Sequence, residues 1–71
     1  MDLPPVEKVA ALVHDAWTAG KRKTGIIHCL HQGEDLMVPY SELSDAAKDL
    51  DRATVLTVYR AIAQASEEGA G

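Results

Sequence analysis

The stretch of residues 38–44, VPYSELS, is the feature that most constrains how this chain can fold. Pro39 disfavours a helical conformation at Val38 and fixes the direction of the chain that follows. Residues 40–43 then fit a single turn, and the Ser44 hydroxyl can cap a helix that begins directly after it. The sequence therefore predicts a sharp corner between an irregular segment and a helical one.

An apolar-periodic run before this corner predicts a first helix. A proline pair at positions 4 and 5 suits the start of a helix, because proline there gives up no needed hydrogen-bond donor. We expect the helix to end near Ala19 and Gly20, where glycine can take the left-handed conformation. The residues at helical spacing that should form its buried face are Val6, Val9, Val13 and Trp17, with Ala10 and Ala16 beside them.

The chain after the corner predicts two more helices. Ser44 would cap a short helix over residues 45–50, and Asp51 would cap a longer one that begins after it. The buried stripe of the longer helix should consist of Val55, Val58 or Tyr59, and Ile62. The polar end of the chain is expected to fray, so the predicted organisation is a single domain over residues 1–66 and a flexible tail over residues 67–71.

Between the first helix and the corner, the sequence favours loop with brief extended pieces. Gly25 and Gly33 punctuate this segment, and its apolar runs at residues 26–27 and 36–38 are short. The pieces leave room for a small β-hairpin. The fold class predicted for the whole chain is therefore mainly α, with a loop-rich middle.

Composition narrows the classes of function. The lone Cys29 cannot form an internal disulfide, no apolar run reaches the roughly 18 residues that a bilayer requires, and no signal peptide is evident, so we expect a cytoplasmic protein. A net charge of −4 argues against binding of duplex nucleic acid. The basic run at residues 21–23 holds three of the seven bases, which suits a small anion, although a solvated loop would look the same.

Metal and catalytic chemistry find little support in the sequence. His28, Cys29 and His31 are zinc-ligand types, but a structural site needs four ligands and adjacent residues in an extended segment point apart. We therefore expect no metal, and His28 to hydrogen-bond a base or phosphate. No nucleophile has an evident base beside it, so the prediction is a protein that is not an enzyme, with no catalytic residues and no cofactor.

A set of unlike residues at fixed spacing resembles the RyR domain, the small repeat named after ryanodine receptors and also found as single domains in bacteria and their viruses. The resemblance covers residues 6–63 and is strongest over residues 36–55, LMVPYSELSDAAKDLDRATV. Residues 25–29, GIIHC, stand where the family usually has Gly-Trp-x-Tyr-Gly, so a second aromatic is missing or supplied elsewhere. The matching positions are His14, Trp17, Lys21, Leu36, Val38, Pro39, Tyr40, Leu43, Asp51, Arg52, Thr54 and Val55.

The resemblance implies a small helical unit with a short hairpin. In the receptors such repeats are paired, and nucleotide binding between them involves the tryptophan that matches Trp17. In bacteria the family is found near systems that make nucleotide second messengers, which implies a sensing or sequestering role in bacterial or phage defence. We therefore expect an anionic, nucleotide-like ligand, and a homodimer or larger homo-oligomer in a bacterial or infected bacterial cell.

Six residues are the candidates for binding that ligand. Trp17 can stack on a base, or it can be a plain core residue. Lys21 and Arg22 can bind phosphate. Tyr40 can close the pocket opposite Trp17, or pack as a half-buried lid with its hydroxyl in water. Each residue also has a structural alternative. The remaining candidates are His28 and Arg52.

Arg52 illustrates the choice between the two kinds of role. It can reach the phosphate or ribose of a ligand, or it can pair with an acid such as Asp49 or Glu42 and hold the corner. The same ambiguity extends to the whole protein. The alternative to nucleotide binding is a protein–protein interaction module that uses the tryptophan, tyrosine and basic residues as its contact surface.

Overall fold

The computed structural model describes residues 2–70, and the surroundings of the side chains up to residue 68. Its elements, in chain order, are helix α1 (Val6–Lys23), strands β1 (Leu30–His31) and β2 (Glu34–Asp35), a 3₁₀ turn (Tyr40–Glu42) and helix α2 (Asp45–Ala70). The predicted fold class, mainly α with a short hairpin, is confirmed. Among residues 2–70, no helix combines the length and the apolar character that crossing a membrane requires.

Helix α1 begins after Pro5 as expected, but its predicted end at Gly20 is wrong. The helix continues to Lys23, and Gly25, with a φ of 85°, is the left-handed residue that follows it. The amide of Gly25 donates to the carbonyl of Arg22 at 3.0 Å. The sequence offers two glycines that could end α1, Gly20 and Gly25. Gly25 ends it because residues 21–23 are good helix formers and extend the helix past Gly20.

Helix α2 is continuous, so the predicted break at Asp51 is also wrong. Ser44 does cap its start, since the amide of Ala47 donates to the Ser44 hydroxyl at 3.1 Å. Residues 45–68 contain neither proline nor glycine, and nothing in the backbone forces the helix to restart. Asp51 therefore lies inside the helix, and its carboxylate is directed toward α1.

The two helices run antiparallel and pack around a small core. The carbonyl of Pro4 accepts from the Tyr59 hydroxyl at 2.8 Å, while His14 lies against Asp51 further along. The core consists of Ala10, Tyr40, Leu43, Ala47 and Val55, with partly buried apolar residues packed around them. Alanine at two of these positions allows the elements to approach closely.

The buried face of α1 differs from the predicted one. Its buried residues are Ala10, His14 and Thr18, spaced four apart, whereas Val13 is 43% exposed and Ala16 is exposed. The difference arises because α2 and the corner at Pro39 approach α1 from the side of His14. The polar groups are buried there because each has a hydrogen-bond partner.

Helix α2 extends beyond the start of α1. Within its predicted stripe Val55 is buried and Tyr59 is half-buried, but Val58 is 50% exposed and Ile62 is 37% exposed. We call residues 60–68 the α2 projection. Helical geometry continues over residues 67–70, the flexibility expected of the tail stays a prediction, and Gly71 lies outside the described residues.

The hairpin and the corner are joined by one acidic residue, Glu34. In the hairpin Leu30 pairs with Asp35 and His31 with Glu34, around a turn in which Gln32 and Gly33 both have positive φ. The runs at residues 26–27 and 36–38, expected as extended pieces, lie on either side of these strands. The Glu34 carboxylate accepts from the amide and hydroxyl of Ser44, which lowers the pKa of Glu34.

Candidate ligand-binding site

A cleft of about 240 Å³ opens where α1, α2 and the segment after β2 meet. Its walls are mostly apolar, with a polar edge formed by residues of both helices. Its volume is just below the range of about 300–1,000 Å³ that is typical of drug-sized ligands, so it suits one aromatic ring system. We call it the indole cleft; its lining residues are Val13, His14, Trp17, Leu36, Ala47, Asp51 and Thr54.

Trp17 lies in the wall of this cleft. Its side chain is half-buried, so the indole packs against the protein with one part and lines the open cleft with another. Lys21, one turn later on α1, places its ammonium nitrogen 5.4 Å from the centre of the Trp17 ring. That distance is within the range of a cation–π contact. The sequence placed these two residues together correctly, because they are four apart on one helix.

His14 forms the buried floor of the cleft. Its Nε2 lies 2.8 Å from the carbonyl oxygen of Val38, which can only accept, so Nε2 carries a proton. Its Nδ1 faces Oδ2 of Asp51 at 3.2 Å. The ring is 3% exposed, and both of its nitrogens are engaged. His14 therefore connects α1 to the corner and to α2 at the same point.

Tyr40 does not lie opposite Trp17 across the cleft. The His14 ring is 5.7 Å from Trp17 and 6.1 Å from Tyr40, centre to centre, and it fills the space between them. Tyr40 is 5% exposed, and its hydroxyl donates to Glu7 at 3.0 Å, so the hydroxyl is not in bulk water as the alternative expected. Burial, with the Glu7 hydrogen bond, raises the pKa of Tyr40.

Arg52 is held by acids, as its structural alternative expected. It donates two hydrogen bonds to the Glu7 carboxylate, at 2.6 and 3.0 Å, and a third to Asp49 at 2.7 Å. The hydrogen bonds from Arg52 lower the pKa of Glu7, and those to Glu7 and Asp49 raise the pKa of Arg52. The guanidinium therefore joins the start of α1 to α2 and does not line the indole cleft.

The basic run does not converge on one spot. Lys21 lies against Trp17, whereas Arg22 lines a second cleft of about 220 Å³ together with Asp15, Thr18 and Pro39. Successive helical residues are about 100° apart around the axis, which explains the divergence. Of the two basic residues predicted to bind phosphate, only Lys21 is beside the indole.

His28 lies at the base of the hairpin and is 72% exposed. Its Nδ1 donates to Asp35 at 2.7 Å, and the same carboxylate accepts from the amides of Cys29 and Met37, each at 3.0 Å. The hydrogen bond from His28, with those two amides, lowers the pKa of Asp35 to about 2. Over residues 2–70 no group of three or more histidines, cysteines or acids is arranged to hold a metal ion.

Several lining residues were not among the predicted site residues. Ala47, Asp51 and Thr54 are spaced four and three apart, which puts them on one face of a continuous helix. That spacing is visible in the sequence, but the expected break at Asp51 concealed it. Leu36 and Val13 were assigned to an extended piece and to the core, and their place in the cleft depends on how α1 and α2 pack.

No family model matches this chain, and neither do any curated proteins or solved structures. The resemblance to the RyR domain therefore stays a prediction. Five of the positions that carry it lie together in space, since they line the indole cleft: His14, Trp17, Leu36, Asp51 and Thr54.

Proposed function

We propose that this chain is a non-enzymatic binding domain that recognises or sequesters a small nucleotide or nucleotide-derived second messenger in the indole cleft. One observation supports this most directly. A half-buried tryptophan lines an apolar cleft of about 240 Å³, and a lysine ammonium lies 5.4 Å from its ring. An aromatic surface next to one positive charge is what a planar base with a phosphate requires.

The two groups would divide the work of binding. Stacking of a base on the indole contributes about 1–3 kcal/mol and tolerates different bases. Lys21 has a long, flexible side chain and can move from the ring of Trp17 to a phosphate. Because Arg22 lines a different cleft and Arg52 is bound by Glu7 and Asp49, most of the affinity would come from the base. We propose that this occurs in the cytoplasm of a bacterial or infected bacterial cell.

Binding of nucleotides to the purified chain tests the proposal. We expect a panel of mononucleotides, triphosphates and cyclic dinucleotides to raise the melting temperature for at least one member, and Trp17→Ala to abolish the rise. Lys21→Ala should weaken binding several-fold, whereas Lys23→Ala, a neighbouring exposed lysine, should not. A rise that survives Trp17→Ala, or no response to any nucleotide, would contradict the proposal.

A second function, protein–protein interaction, is favoured by the α2 projection. Tyr40 is buried and does not offer its ring to a partner, so the contact would not use the surface that the sequence suggested. Val58, just before the projection, and Ile62, within it, are exposed at helical spacing where α2 passes the start of α1. We propose that this stripe pairs with the same stripe of a second copy, which gives the homodimer or larger homo-oligomer.

Charge along the α2 projection supports pairing with another copy. Arg60 lies near its beginning, and Glu67 and Glu68 lie near its end, all exposed. In an antiparallel pair, the arginine of each copy would lie opposite the glutamates of the other. A domain of this size also gains from a partner subunit, because its own core leaves only about 3–5 kcal/mol of stability.

A further inference from the structure

The hydrogen-bonding capacity that remains open at the polar edge of the indole cleft is acceptor capacity. Thr54 donates its hydroxyl hydrogen to the carbonyl of Leu50 at 3.0 Å, so its oxygen is left with lone pairs only. Both nitrogens of His14 are engaged, one with Val38 and one with Asp51. A ligand that enters this edge therefore finds few donors to bond with.

Asp51 is the strongest of these acceptors. Its side chain is 25% exposed and lies in the cleft wall, and its Oδ2 faces His14. A carboxylate has two oxygens with about four lone-pair positions, so contact with His14 leaves most of that capacity for a ligand. Asp51 and Thr54 are three residues apart on α2 and line the same cleft, so this edge selects for a ligand with adjacent donors.

We propose that the indole cleft prefers guanine nucleotides, an inference that rests on the proposed function. Guanine carries two neighbouring donors on one edge, N1–H and the 2-amino group, and a carboxylate can accept from both at once. Adenine has a single amino group beside ring nitrogens that are acceptors. Its lone pairs would face the carboxylate, and an acceptor so placed is left unpaired.

The arrangement also separates the charges of the ligand. With the base stacked on Trp17 and its donor edge on Asp51, the phosphate lies away from the carboxylate. Lys21 is beside the same indole and can reach the phosphate. The net charge of −4 disfavours the binding of anions in general. Lys21 and the hydrogen bonds to the base would therefore account for the binding of a guanine nucleotide.

A series of monophosphates tests the proposal on the unmodified protein by titration calorimetry. We expect the guanosine nucleotide to bind most tightly. The inosine nucleotide lacks only the 2-amino group and should bind about tenfold more weakly, because one hydrogen bond to a charged group is lost. The adenosine nucleotide should bind more weakly again.

Asp51→Asn gives a second, independent measurement. An asparagine amide presents one donor and one acceptor, which matches adenine, so the preference for guanosine over adenosine nucleotide should fall or reverse. Asp49→Asn is the matched control, since Asp49 bonds Arg52 outside the cleft and its loss should leave the preference unchanged. If Asp51→Asn does not fold, the monophosphate series on the unmodified protein decides.

The outcomes separate this inference from the proposed function. Adenosine nucleotide that binds as tightly as guanosine nucleotide would overturn the preference and leave nucleotide binding intact. No binding of any nucleotide would overturn both. Binding of a quaternary amine in place of nucleotides would do the same, because an indole beside a carboxylate also suits a cation.

Discussion

Asp35 is the residue whose ionisation most clearly supports the hairpin. Its carboxylate accepts from the His28 ring and from the amides of Cys29 and Met37, and these bonds lower its pKa from 3.8 to about 2. A carboxyl group with a lowered pKa in the folded state stabilises that state above its unfolded pKa. The contribution is lost as the pH falls from about 4 through about 2, where Asp35 becomes protonated.

We therefore expect the hairpin to loosen in that pH range before the helices do. The measurement is the NMR signal of the Cys29 and Met37 amides during an acid titration. Asp35→Asn should remove the transition from those amides, whereas Asp2→Asn, an exposed residue before α1, should leave it in place. Amides that titrate identically in Asp35→Asn would show that another group controls the hairpin.

At the scale of residues, the sequence predicted contacts within one element and missed those between elements. Trp17 with Lys21 and Ser44 with Ala47 are four and three apart, so helical geometry alone brings them together. The hydrogen bond from Tyr40 to Glu7 joins residues 33 positions apart. It depends on how α1 packs on the corner, which no local pattern encodes.

Two glycines near the end of α1 should respond in opposite ways to substitution by alanine. Gly20 is inside the helix, and a Cβ built on it meets no atom within 4 Å. Gly20→Ala should therefore stabilise the protein by about 0.5–1 kcal/mol, because glycine is a poor helix former. Gly25 has a φ of 85°, and Gly25→Ala should destabilise by about 1–2 kcal/mol.

Urea denaturation of the two variants and the unmodified protein checks both signs. The pair is its own control, since the same substitution is made five residues apart on a common background. Destabilisation by Gly20→Ala would mean that α1 ends there in solution, as the sequence first suggested.

At the scale of elements, the starts of α1 and α2 were predictable and their extents were not. Ser44 follows the turn that Pro39 begins and precedes an apolar-periodic run, a combination that indicates a helix start, and the structure confirms this start. The end of α1 and the continuity of α2 depended on choosing between two glycines and between two capping residues. The buried face of α1 depended on the side from which α2 approaches, and His14 is buried there with its partners supplied by distant segments.

The whole molecule is elongated because the C-terminal part of α2 extends past the start of α1. Its extents are 45 × 26 × 19 Å, and Ile62 lies on the part of α2 beyond the bond between Tyr59 and Pro4. If this stripe pairs two copies, Ile62→Glu should shift the protein to the monomer, because a charge would be buried in the contact.

Sedimentation equilibrium at several concentrations measures that shift. Gln64→Glu is the matched control, since it adds the same charge to the projection about 200° around the helix from Ile62. If the unmodified protein is a monomer at all concentrations, the pairing is contradicted. If both variants have the same effect, added negative charge and not the apolar stripe controls the association.

The unbroken course of α2 has a mechanical consequence. The helix has 26 residues and rises about 39 Å, with the end near Asp51 at the cleft and the other end in the projection. It has no glycine or proline before residue 69, and its contacts with α1 and with Pro4 extend from Asp51 to Tyr59, so we expect it to move as a stiff rod. A ligand in the cleft that tilts α2 slightly would displace the far end of the helix by a larger distance. Filling the cleft would therefore change the direction of the surface that the projection offers to a second copy.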